Sequence, residues 1–208
     1  MASNPKRSNR LLVGLMVGMM AAAAAVIVVG WQLIRSQKSD QAALGQPKIG
    51  GAFTLTDQTG RTITDQSFRG SYELIYFGYT SCPDTCPTEL QSMAQALQSL
   101  GPAGEKVQPI FITVDPERDT VKQLAGYVPL FTPRLEGLTG TQEQVAQAAK
   151  AFKVYYAKAE QPNGAPYLMN HSSFFYLMGP DGGFVTLLEG DTDPDKMAAE
   201  IKEHMTAS

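Results

Sequence analysis

The sequence predicts a mixed α/β domain with an added N-terminal β-hairpin, preceded by one transmembrane helix. Strand and helix patterns alternate over the first half of the domain, and the last two strand patterns are joined by a glycine-rich turn. This order is typical of a mixed sheet that is covered by helices. The only two cysteines, Cys82 and Cys86, lie where an apolar strand passes into a helix. A reactive cysteine turn after a central strand is the thioredoxin-like arrangement, and this is the fold class that we predict.

The N-terminal segment predicts a membrane anchor. Residues 1–10 carry three basic side chains, and residues 11–34 form an uncharged run of 24 residues. A helix of that length spans roughly 36 Å, enough to cross a hydrocarbon core of about 30 Å. The positive-inside rule then places residues 1–10 in the cytoplasm. A cleavable secretory signal stays open as an alternative, because the small residues Ala21–Ala25 would permit cleavage.

The rest of the chain is predicted to be a short linker, residues 35–46, and one thioredoxin-like domain, residues 47–208. From residue 41 onward the chain has 12 basic and 19 acidic residues, a net charge of −7. Because nucleic acid attracts basic proteins, this acidic balance predicts no nucleic-acid partner. The orientation of the anchor predicts a single-pass protein of the bacterial inner membrane, with the domain in the periplasm.

Apolar runs and turn residues predict the elements of the domain. The opening hairpin is predicted at Ile49–Leu55 and Arg61–Thr64, around a turn that ends in glycine. The later strands are predicted at Leu74–Tyr79, Val107–Val114, Val154–Tyr156, Ser172–Met178 and Phe184–Leu188. The helices are predicted at Pro87–Leu100, Thr120–Tyr127, Gln142–Phe152 and Asp195–Met205.

The helix start beside the cysteines predicts acidic thiols. Pro87 suits the first position of a helix, so we expect Cys86 to be the N-cap and Glu89 to complete a capping box. The helix dipole and the free amide groups would then favour both thiolates over thiols. A pair of acidic thiols can bind a soft metal or close into a disulfide.

The cysteine pair has three interpretations. The first is a structural disulfide, but a ring of five residues stabilises a protein by only about 2 kcal/mol, so stability explains this spacing poorly. The second is a thiol-disulfide oxidoreductase. Its usual motif has two intervening residues, whereas three residues separate Cys82 from Cys86. The third is a metal site, which needs at least one more ligand.

His171 is the predicted third ligand. The chain has two histidines, and His204 lies in a charged terminal helix where we expect a surface residue. His171 stands at the start of the predicted strand Ser172–Met178, near the cysteine turn. Two thiolates and an imidazole suit copper, as Cu(I) or Cu(II), better than a closed zinc site, which requires four protein ligands. An open three-ligand site favours a metal that is handed on to another protein.

Four motifs carry a resemblance to a known family. They are, in chain order, Tyr79–Pro87 around the cysteines, Val114–Thr120, Gly137–Gly140, and Asn170–Ser172 followed by Tyr176–Gly182. Over residues 47–205 the chain resembles the SCO/SenC/PrrC family, the membrane-anchored copper proteins that assist assembly of cytochrome c oxidase.

The resemblance implies a thioredoxin-like fold and copper held by Cys82, Cys86 and His171. It implies delivery of that copper toward the binuclear centre of cytochrome c oxidase subunit II. It also implies that some members reduce the cysteines of that subunit, in which case Cys82 and Cys86 are the redox pair. A periplasmic copper donor and a thiol reductant are further expected partners. A redox or copper sensor that uses the same cysteines stays open as an alternative.

Other residues of these motifs have structural interpretations. Asp119 would cap the following helix, and Arg118 would pair with carboxylates. Met169 and Met178 carry thioethers that copper accepts, but packing in the core is their expected use. Asn170 departs from the family pattern, in which aspartate commonly precedes the histidine.

Overall fold

A computed structural model of the chain describes residues 49–206, which form a mixed sheet and its surrounding helices. The strands are β1 (Thr54–Asp57), β2 (Thr62–Thr64), β3 (Tyr72–Gly78), β4 (Val107–Thr113), β5 (Glu136–Thr139), β6 (Tyr156–Ala159), β7 (Leu168–His171), β8 (Phe174–Met178) and β9 (Phe184–Glu189). The helices are α1 (Thr85–Ser99), α2 (Val121–Tyr127), α3 (Gln142–Ala151) and α4 (Pro194–Thr206). Short 3₁₀ turns lie at Gly101–Lys106, Val128–Leu130 and Pro162–Gly164.

The main sheet has seven strands in the order β2-β1-β5-β4-β3-β8-β9. Strand β4 runs parallel to both β3 and β5. Strand β8 runs antiparallel to both β3 and β9. A β3-α1-β4 unit therefore lies beside a β8-β9-α4 unit, which is the thioredoxin-like arrangement. The predicted fold class is confirmed, and the β1-β2 hairpin extends the sheet by antiparallel pairing of β1 with β5.

Strand β3 positions the cysteine turn. All seven of its residues are buried, as expected for a central strand that is apolar on both faces. Gly78, its last residue, pairs with Thr113, the last residue of the parallel strand β4. The segments that follow the two strands therefore meet at one edge of the sheet, and the cysteine turn lies at this edge.

Helix α1 packs through one apolar stripe. Its buried residues recur at helical spacing, and they are Cys86, Glu89, Leu90, Met93, Ala96 and Leu97. The helix contacts α4, and the Ser99 hydroxyl donates to Asp195 across that contact at 3.3 Å. Helix α4 thus packs against α1, and the apolar stripe of α1 holds its N-terminal cysteines at the sheet.

The opening hairpin forms because its turn satisfies the backbone locally. Asp57 Oδ1 accepts the amides of Thr59 and Arg61 at 2.8 and 2.9 Å. Gly60 has a φ of +89°, a conformation that side chains disfavour. The sequence predicts the first strand of the hairpin at Ile49–Leu55, whereas the strand begins later, at Thr54.

The structure corrects the strands around His171. The prediction of one strand at Ser172–Met178 is wrong in its first residues, because β7 ends at His171 and β8 begins at Phe174. Strand β7 pairs with β6 in a separate two-stranded sheet, with His171 opposite Tyr156. Strand β6 also begins later than predicted. The amide of Val154 donates to the carbonyl oxygen of Ala149 in α3 at 2.8 Å, so the extended strand begins only at Tyr156.

Strand β5 was missed by the sequence prediction. It has only four residues and contains a glycine, so it shows neither the length nor the alternation that indicates a strand. A side chain at Gly137 would place its Cβ 2.6 Å from a Val128 methyl group. Glycine therefore allows the segment after α2 to pack against β5.

The predicted anchor, residues 11–34, its N-terminal flank, residues 1–10, and the predicted linker, residues 35–46, lie outside the described residues. Within residues 49–206, none of the helices combines the length and the apolar character that a bilayer crossing requires. The anchor remains a prediction from the sequence.

Candidate metal centre

Helix α1 begins earlier than the sequence predicts, and this changes the roles of the cysteines. It starts at Thr85, so Cys86 lies inside the first turn and is not the N-cap. Asp84 occupies the N-cap position, but its side chain makes no capping bond. Instead the Cys86 amide donates to Cys82 Sγ at 3.3 Å. The Cys82 sulfur thus satisfies one of the free amides at the helix start.

The expected capping box at Glu89 is also wrong. Glu89 is buried, with 6% of its surface exposed, and it accepts the Ser173 hydroxyl at 2.5 Å. The earlier start of α1 moves Glu89 out of the third helical position and onto the face that packs against the sheet. The carboxylate consequently contacts the segment that carries His171 and makes no bond to its own helix start.

His171 lies at the cysteine pair. Its Nε2 is 3.3 Å from Cys86 Sγ. Its Nδ1 is 3.0 Å from the carbonyl oxygen of Ser172, and because a carbonyl only accepts, Nδ1 is the protonated nitrogen. Nε2 therefore presents a lone pair to Cys86. The predicted proximity is confirmed, and the role of His171 as a metal ligand stays a prediction.

Two tyrosines hold the imidazole ring in place. Tyr76 and Tyr79 each meet the ring of His171 edge to face, with centroids 6.0 Å apart in both pairs. Both tyrosines are buried and lie on or directly after β3. Packing of the ring against the end of β3 restricts its rotation, so the imidazole is preoriented toward the cysteines.

The two cysteines form an asymmetric pair. Hydrogen bonding from the Cys86 thiol, together with the amides of Cys86 and Asp84, lowers the pKa of Cys82 to about 5. The bond to Cys82 and burial raise the pKa of Cys86 well above that of an ordinary thiol. The expectation of two favoured thiolates is therefore wrong without metal. A second negative charge beside the first, in a buried position, is unfavourable until a cation compensates it.

Cys86 is packed tightly under the turn. It is fully buried, whereas Cys82 is partly exposed. A Cβ on Gly78 would lie 3.1 Å from Cys86 Sγ and 2.8 Å from a carbon of the Tyr76 ring. Glycine at the end of β3 therefore leaves the room that the Cys86 sulfur occupies.

An open pocket of about 310 Å³ lies over the pair. The turn that carries Cys82, from residues 82 to 85, forms one wall, and residues 168 to 171 form the other. Cys86 lies beneath the pocket. A ligand entering from solvent would therefore meet Cys82 and His171 before it reached Cys86.

Asp119 holds the cysteine turn to the neighbouring strand end. Its carboxylate is fully buried and accepts the amide and the hydroxyl of Thr80 at 3.0 and 2.6 Å. It also accepts the Thr113 hydroxyl at 2.6 Å. Burial raises the pKa of Asp119, although these bonds offset part of the effect. The expected capping role is wrong, because Thr120 caps α2 by accepting the Gln123 amide.

Arg118 pairs with a carboxylate as predicted. Its Nε donates to Asp115, which also accepts the Tyr167 hydroxyl at 2.9 Å. The guanidinium stacks over the Tyr167 ring, 3.8 Å from the centroid, and its Nη1 donates to the Tyr167 carbonyl oxygen at 2.9 Å. These contacts connect the segment after β4 to the chain just before β7. Asp119 thus supports the turn before Cys82, and Asp115 supports the segment before β7 through Arg118 and Tyr167.

The donor set fits a soft metal, but it is not fully assembled. Bond lengths of about 2.1 and 2.3 Å, those of zinc to nitrogen and sulfur, separate the two donor atoms by about 3.6 Å at a tetrahedral angle. The 3.3 Å between His171 Nε2 and Cys86 Sγ is close to that separation. Among the described residues, however, no three His, Cys, Asp or Glu side chains are already grouped to hold an ion. Cys86 contacts both Cys82 and His171, so binding of one ion by all three side chains requires a further approach of these donors.

Residues 41–206 match the sequence model of a protein family described as SCO1/SenC. The chain belongs to the SCO1/SenC family. It is 42% identical over 171 residues to the human mitochondrial protein SCO1 homolog, an alignment that covers 81% of this chain and 57% of the human protein. The chain thus matches somewhat more than half the length of this relative.

Solved Sco structures share the fold. A crystal structure of Arabidopsis thaliana ScoI with copper bound is 39% identical, with a TM-score of 0.74, and the match covers 77% of this chain and 99% of that one. A further Sco protein, BsSco, is 27% identical with a TM-score of 0.60, over 80% of this chain and 99% of that one. BsSco is described as having a disulfide switch and as a member of the Sco family of cytochrome c oxidase assembly proteins.

The other candidate residues lie near the site or pack in the core. Met169 and Met178 are buried in the hydrophobic core, as expected, and Met169 also lines the pocket. Asn170 is exposed on β7, opposite Ala157. His204 lies in α4 and is partly buried, so the expectation of a solvated surface residue holds only in part.

Sequence reasoning missed the contact between Glu89 and Ser173. The two residues are 84 positions apart, and neither belongs to a motif that indicates pairing. An acidic residue on the apolar stripe of α1 was the available signal, since a buried carboxylate requires a partner.

Proposed function

We propose that this member of the SCO1/SenC family is a copper chaperone, which binds copper through Cys82, Cys86 and His171. It would pass the metal to the binuclear copper centre of cytochrome c oxidase subunit II. The observation that carries the proposal is the placement of His171 Nε2 at 3.3 Å from Cys86 Sγ, beside a second sulfur. Copper bound to a related Sco structure and the assembly role of the Sco family support it.

The arrangement suits a cargo that must leave again. Thiolate and imidazole are ligands that Cu(I) accepts, and a cation compensates the second negative charge that the buried pair resists. Loading releases the proton of Cys86, since only a thiolate binds the metal. The pocket leaves one side of the trio open to solvent. An incoming ligand from a partner can therefore approach the metal without unfolding of the domain.

Copper titration of the reduced domain tests the ligand set. We expect one copper ion per domain, and each of Cys82→Ser, Cys86→Ser and His171→Ala should weaken binding by more than about 100-fold, because a ligand contributes more than its supporting contacts. The measurement is a competition titration with a Cu(I) chelator in the absence of oxygen. His204→Ala is the matched control, since it removes the other histidine in the described part of the chain and should leave the affinity unchanged. Wild-type affinity in the His171→Ala protein would remove His171 from the proposal.

The proposed location is the bacterial inner membrane, with residues 11–34 as the anchor and the domain in the periplasm. The charge pattern of residues 1–34 is the support for this orientation. Protease treatment of intact spheroplasts should digest the domain, whereas a cytoplasmic marker protein should survive. Survival of the domain in spheroplasts that lose a periplasmic marker would contradict the orientation.

A second candidate function is thiol-disulfide exchange with the cysteines of a partner. The asymmetry of the pair favours it, because Cys82 is a partly exposed, acidic thiol and Cys86 is a buried one. The Cys82 thiolate would attack a partner disulfide and release one partner sulfur. Cys86, after losing its proton, would displace the other sulfur and close the Cys82–Cys86 disulfide. The partner gains two electrons and, after protonation, two thiols.

Two measurements on one sample separate the candidates. A stoichiometric copper complex in which both thiols are protected from alkylation supports the chaperone. A pair that reduces disulfides at the same rate with and without copper supports the reductase. In cells that lack the protein, rescue of oxidase activity by added copper would favour copper supply, and failure of rescue would favour the reductive role.

A further inference from the structure

The segment that carries His171 lies outside the main sheet. Strand β7 ends at His171 and belongs to the two-stranded sheet with β6, whereas β8 in the main sheet begins at Phe174. Two serines therefore connect the two sheets. Ser172 bonds to the residue that precedes β6. Its amide donates to the Tyr155 carbonyl oxygen at 2.9 Å, and its hydroxyl accepts the Tyr155 amide at 3.1 Å.

Ser173 bonds to α1, the helix that carries Cys86, and to the residue after β9. Its hydroxyl donates to Glu89 Oε1 at 2.5 Å, and its carbonyl accepts the Gly190 amide at 3.0 Å. Glu89 lies one helical turn after Cys86 on the same buried stripe of α1. This bond therefore joins the cysteine helix to the histidine segment, two residues beyond His171.

The Glu89 end of the bond is buried, whereas Ser173 also lines the open pocket. Glu89 is 6% exposed, and its second oxygen, Oε2, is buried without a hydrogen-bond partner. A Cβ at Gly190 would lie 2.3 Å from Ser173 Oγ and 2.4 Å from Glu89 Oε1. Glycine at residue 190 therefore allows the end of β9 to close over the pair. Breaking the bond is unfavourable, because Oε1 of this buried carboxylate would lose the hydroxyl that it accepts.

We propose that Glu89 is a positioning residue, which holds Ser173 and thereby fixes the distance between His171 and Cys86. This inference rests on the proposed copper-binding function. The bond between Ser173 and Glu89 restricts movement of His171 away from α1. The imidazole therefore stays beside the two sulfurs before metal binds. Loss of the bond should let the segment 171–173 move away from α1, and the metal should then bind mainly to the two sulfurs.

Three substitutions remove the contact in different ways. Glu89→Leu replaces the carboxylate by an apolar group of similar size, Ser173→Ala removes the hydroxyl, and Gly190→Ala forces the two groups apart. Each should weaken Cu(I) binding about 10- to 100-fold, the usual effect of losing a contact that orients a ligand. Glu89→Gln keeps an oxygen that accepts the Ser173 hydroxyl and should bind copper as the wild type does.

Ser99→Ala is the matched control. Ser99 lies at the other end of α1 and, like Ser173, donates to a carboxylate of a neighbouring element. Its removal should leave both copper affinity and the Cu(II) spectrum unchanged. In the Glu89→Leu and Ser173→Ala proteins, by contrast, the Cu(II) electron paramagnetic resonance signal should lose its nitrogen coupling. A general loss of stability would not remove that coupling from the folded, copper-loaded protein.

Hydrogen exchange of the copper-free protein tests the contact independently of the metal. The amides of Ser172 and Gly190 should exchange about tenfold faster in Ser173→Ala than in the wild type, and Ser99→Ala should not change them. Failure of the wild type to bind copper would contradict the proposed function and leave this exchange result standing. Unchanged exchange and unchanged nitrogen coupling in both Glu89→Leu and Ser173→Ala would overturn the positioning role.

Discussion

Cys82 and Cys86 have the same chemistry and opposite environments. Cys82 is partly exposed and receives hydrogen bonds at the start of α1, which stabilise its thiolate. Cys86 is fully buried beneath Gly78 and Tyr76, and its backbone amide donates to the Cys82 sulfur. The pKa of Cys82 is therefore lowered and the pKa of Cys86 is raised. The predicted helix start favours both thiolates over thiols, and the difference between the two sulfurs arises only from packing.

Alkylation should distinguish the two thiols. With the pKa of Cys82 at about 5, its reaction with iodoacetamide should speed up as pH rises from about 4 to about 6 and then level off, because the thiolate fraction saturates. Cys86 should stay unmodified, since burial and its raised pKa keep it protonated. Mass spectrometry of the reduced protein after short pulses gives both rates.

Unfolded protein is the control for this experiment, because both cysteines should then react. A rate at Cys82 that keeps rising up to pH 9 would contradict a lowered pKa. Preferential modification of Cys86 would contradict the burial order of the two sulfurs.

At the scale of elements, the site depends on short segments between regular structure. The cysteine turn follows β3, the Asp119 segment follows β4, and His171 ends β7. Asp119 joins the first two segments through Thr80 and Thr113, and both strands end at the same edge of the sheet because they are parallel. Parallel pairing of β3 and β4 therefore places a buried carboxylate where it can support the cysteine turn.

Removal of the Asp119 carboxylate should destabilise the domain. Asp119→Ala leaves the Thr80 amide, the Thr80 hydroxyl and the buried Thr113 hydroxyl without the carboxylate that accepts from them. We expect a loss of about 2–4 kcal/mol in the free energy of unfolding, measured by urea denaturation. Copper affinity should fall as well, because the turn that carries Cys82 loses its attachment.

Asp84→Ala is the control in the same turn. Asp84 is exposed and its side chain makes no capping bond, so its loss should change the stability by less than about 0.5 kcal/mol. Equal effects of the two substitutions would refute the special contribution of Asp119.

At the scale of the whole molecule, a buried carboxylate couples stability to pH. Glu73 lies on β3 between Gln108 of β4 and Met178 of β8, and it is 3% exposed. Burial raises the pKa of Glu73 to about 7, although Arg69 offsets part of the rise. The folded state thus prefers the protonated form. The stability that this gives is fully present below the unfolded pKa of about 4.3 and is lost as pH rises through about 7.

Glu73→Gln should remove this pH dependence. The amide cannot ionise, so the variant should gain about 1–3 kcal/mol relative to the wild type between pH 5 and pH 8. Urea denaturation at both pH values measures the difference. The exposed substitution Glu160→Gln is the control and should show no such change. A wild type that is as stable relative to Glu73→Gln at pH 8 as at pH 5 would contradict the raised pKa.

The sequence by itself determined the fold class and the residues that meet at the site. Apolar runs predicted β3, β4 and β8, because buried strands of a central sheet need continuous apolar residues. The cysteine spacing and the strand-to-helix junction predicted where Cys82 and Cys86 would lie. The proximity of His171 followed from placing its strand near the centre of the sheet, although that strand belongs to a separate hairpin.

Only the tertiary structure decided which sulfur is exposed, what Glu89 bonds and where the histidine strand ends. Each of these depends on contacts between residues far apart in the chain, such as the 84 positions between Glu89 and Ser173. Local patterns record the period of a helix or strand, but the burial of a given side chain depends on the elements that pack over it. The pKa of each cysteine depends on the same packing, because burial and hydrogen bonds set the free energy of its charged form.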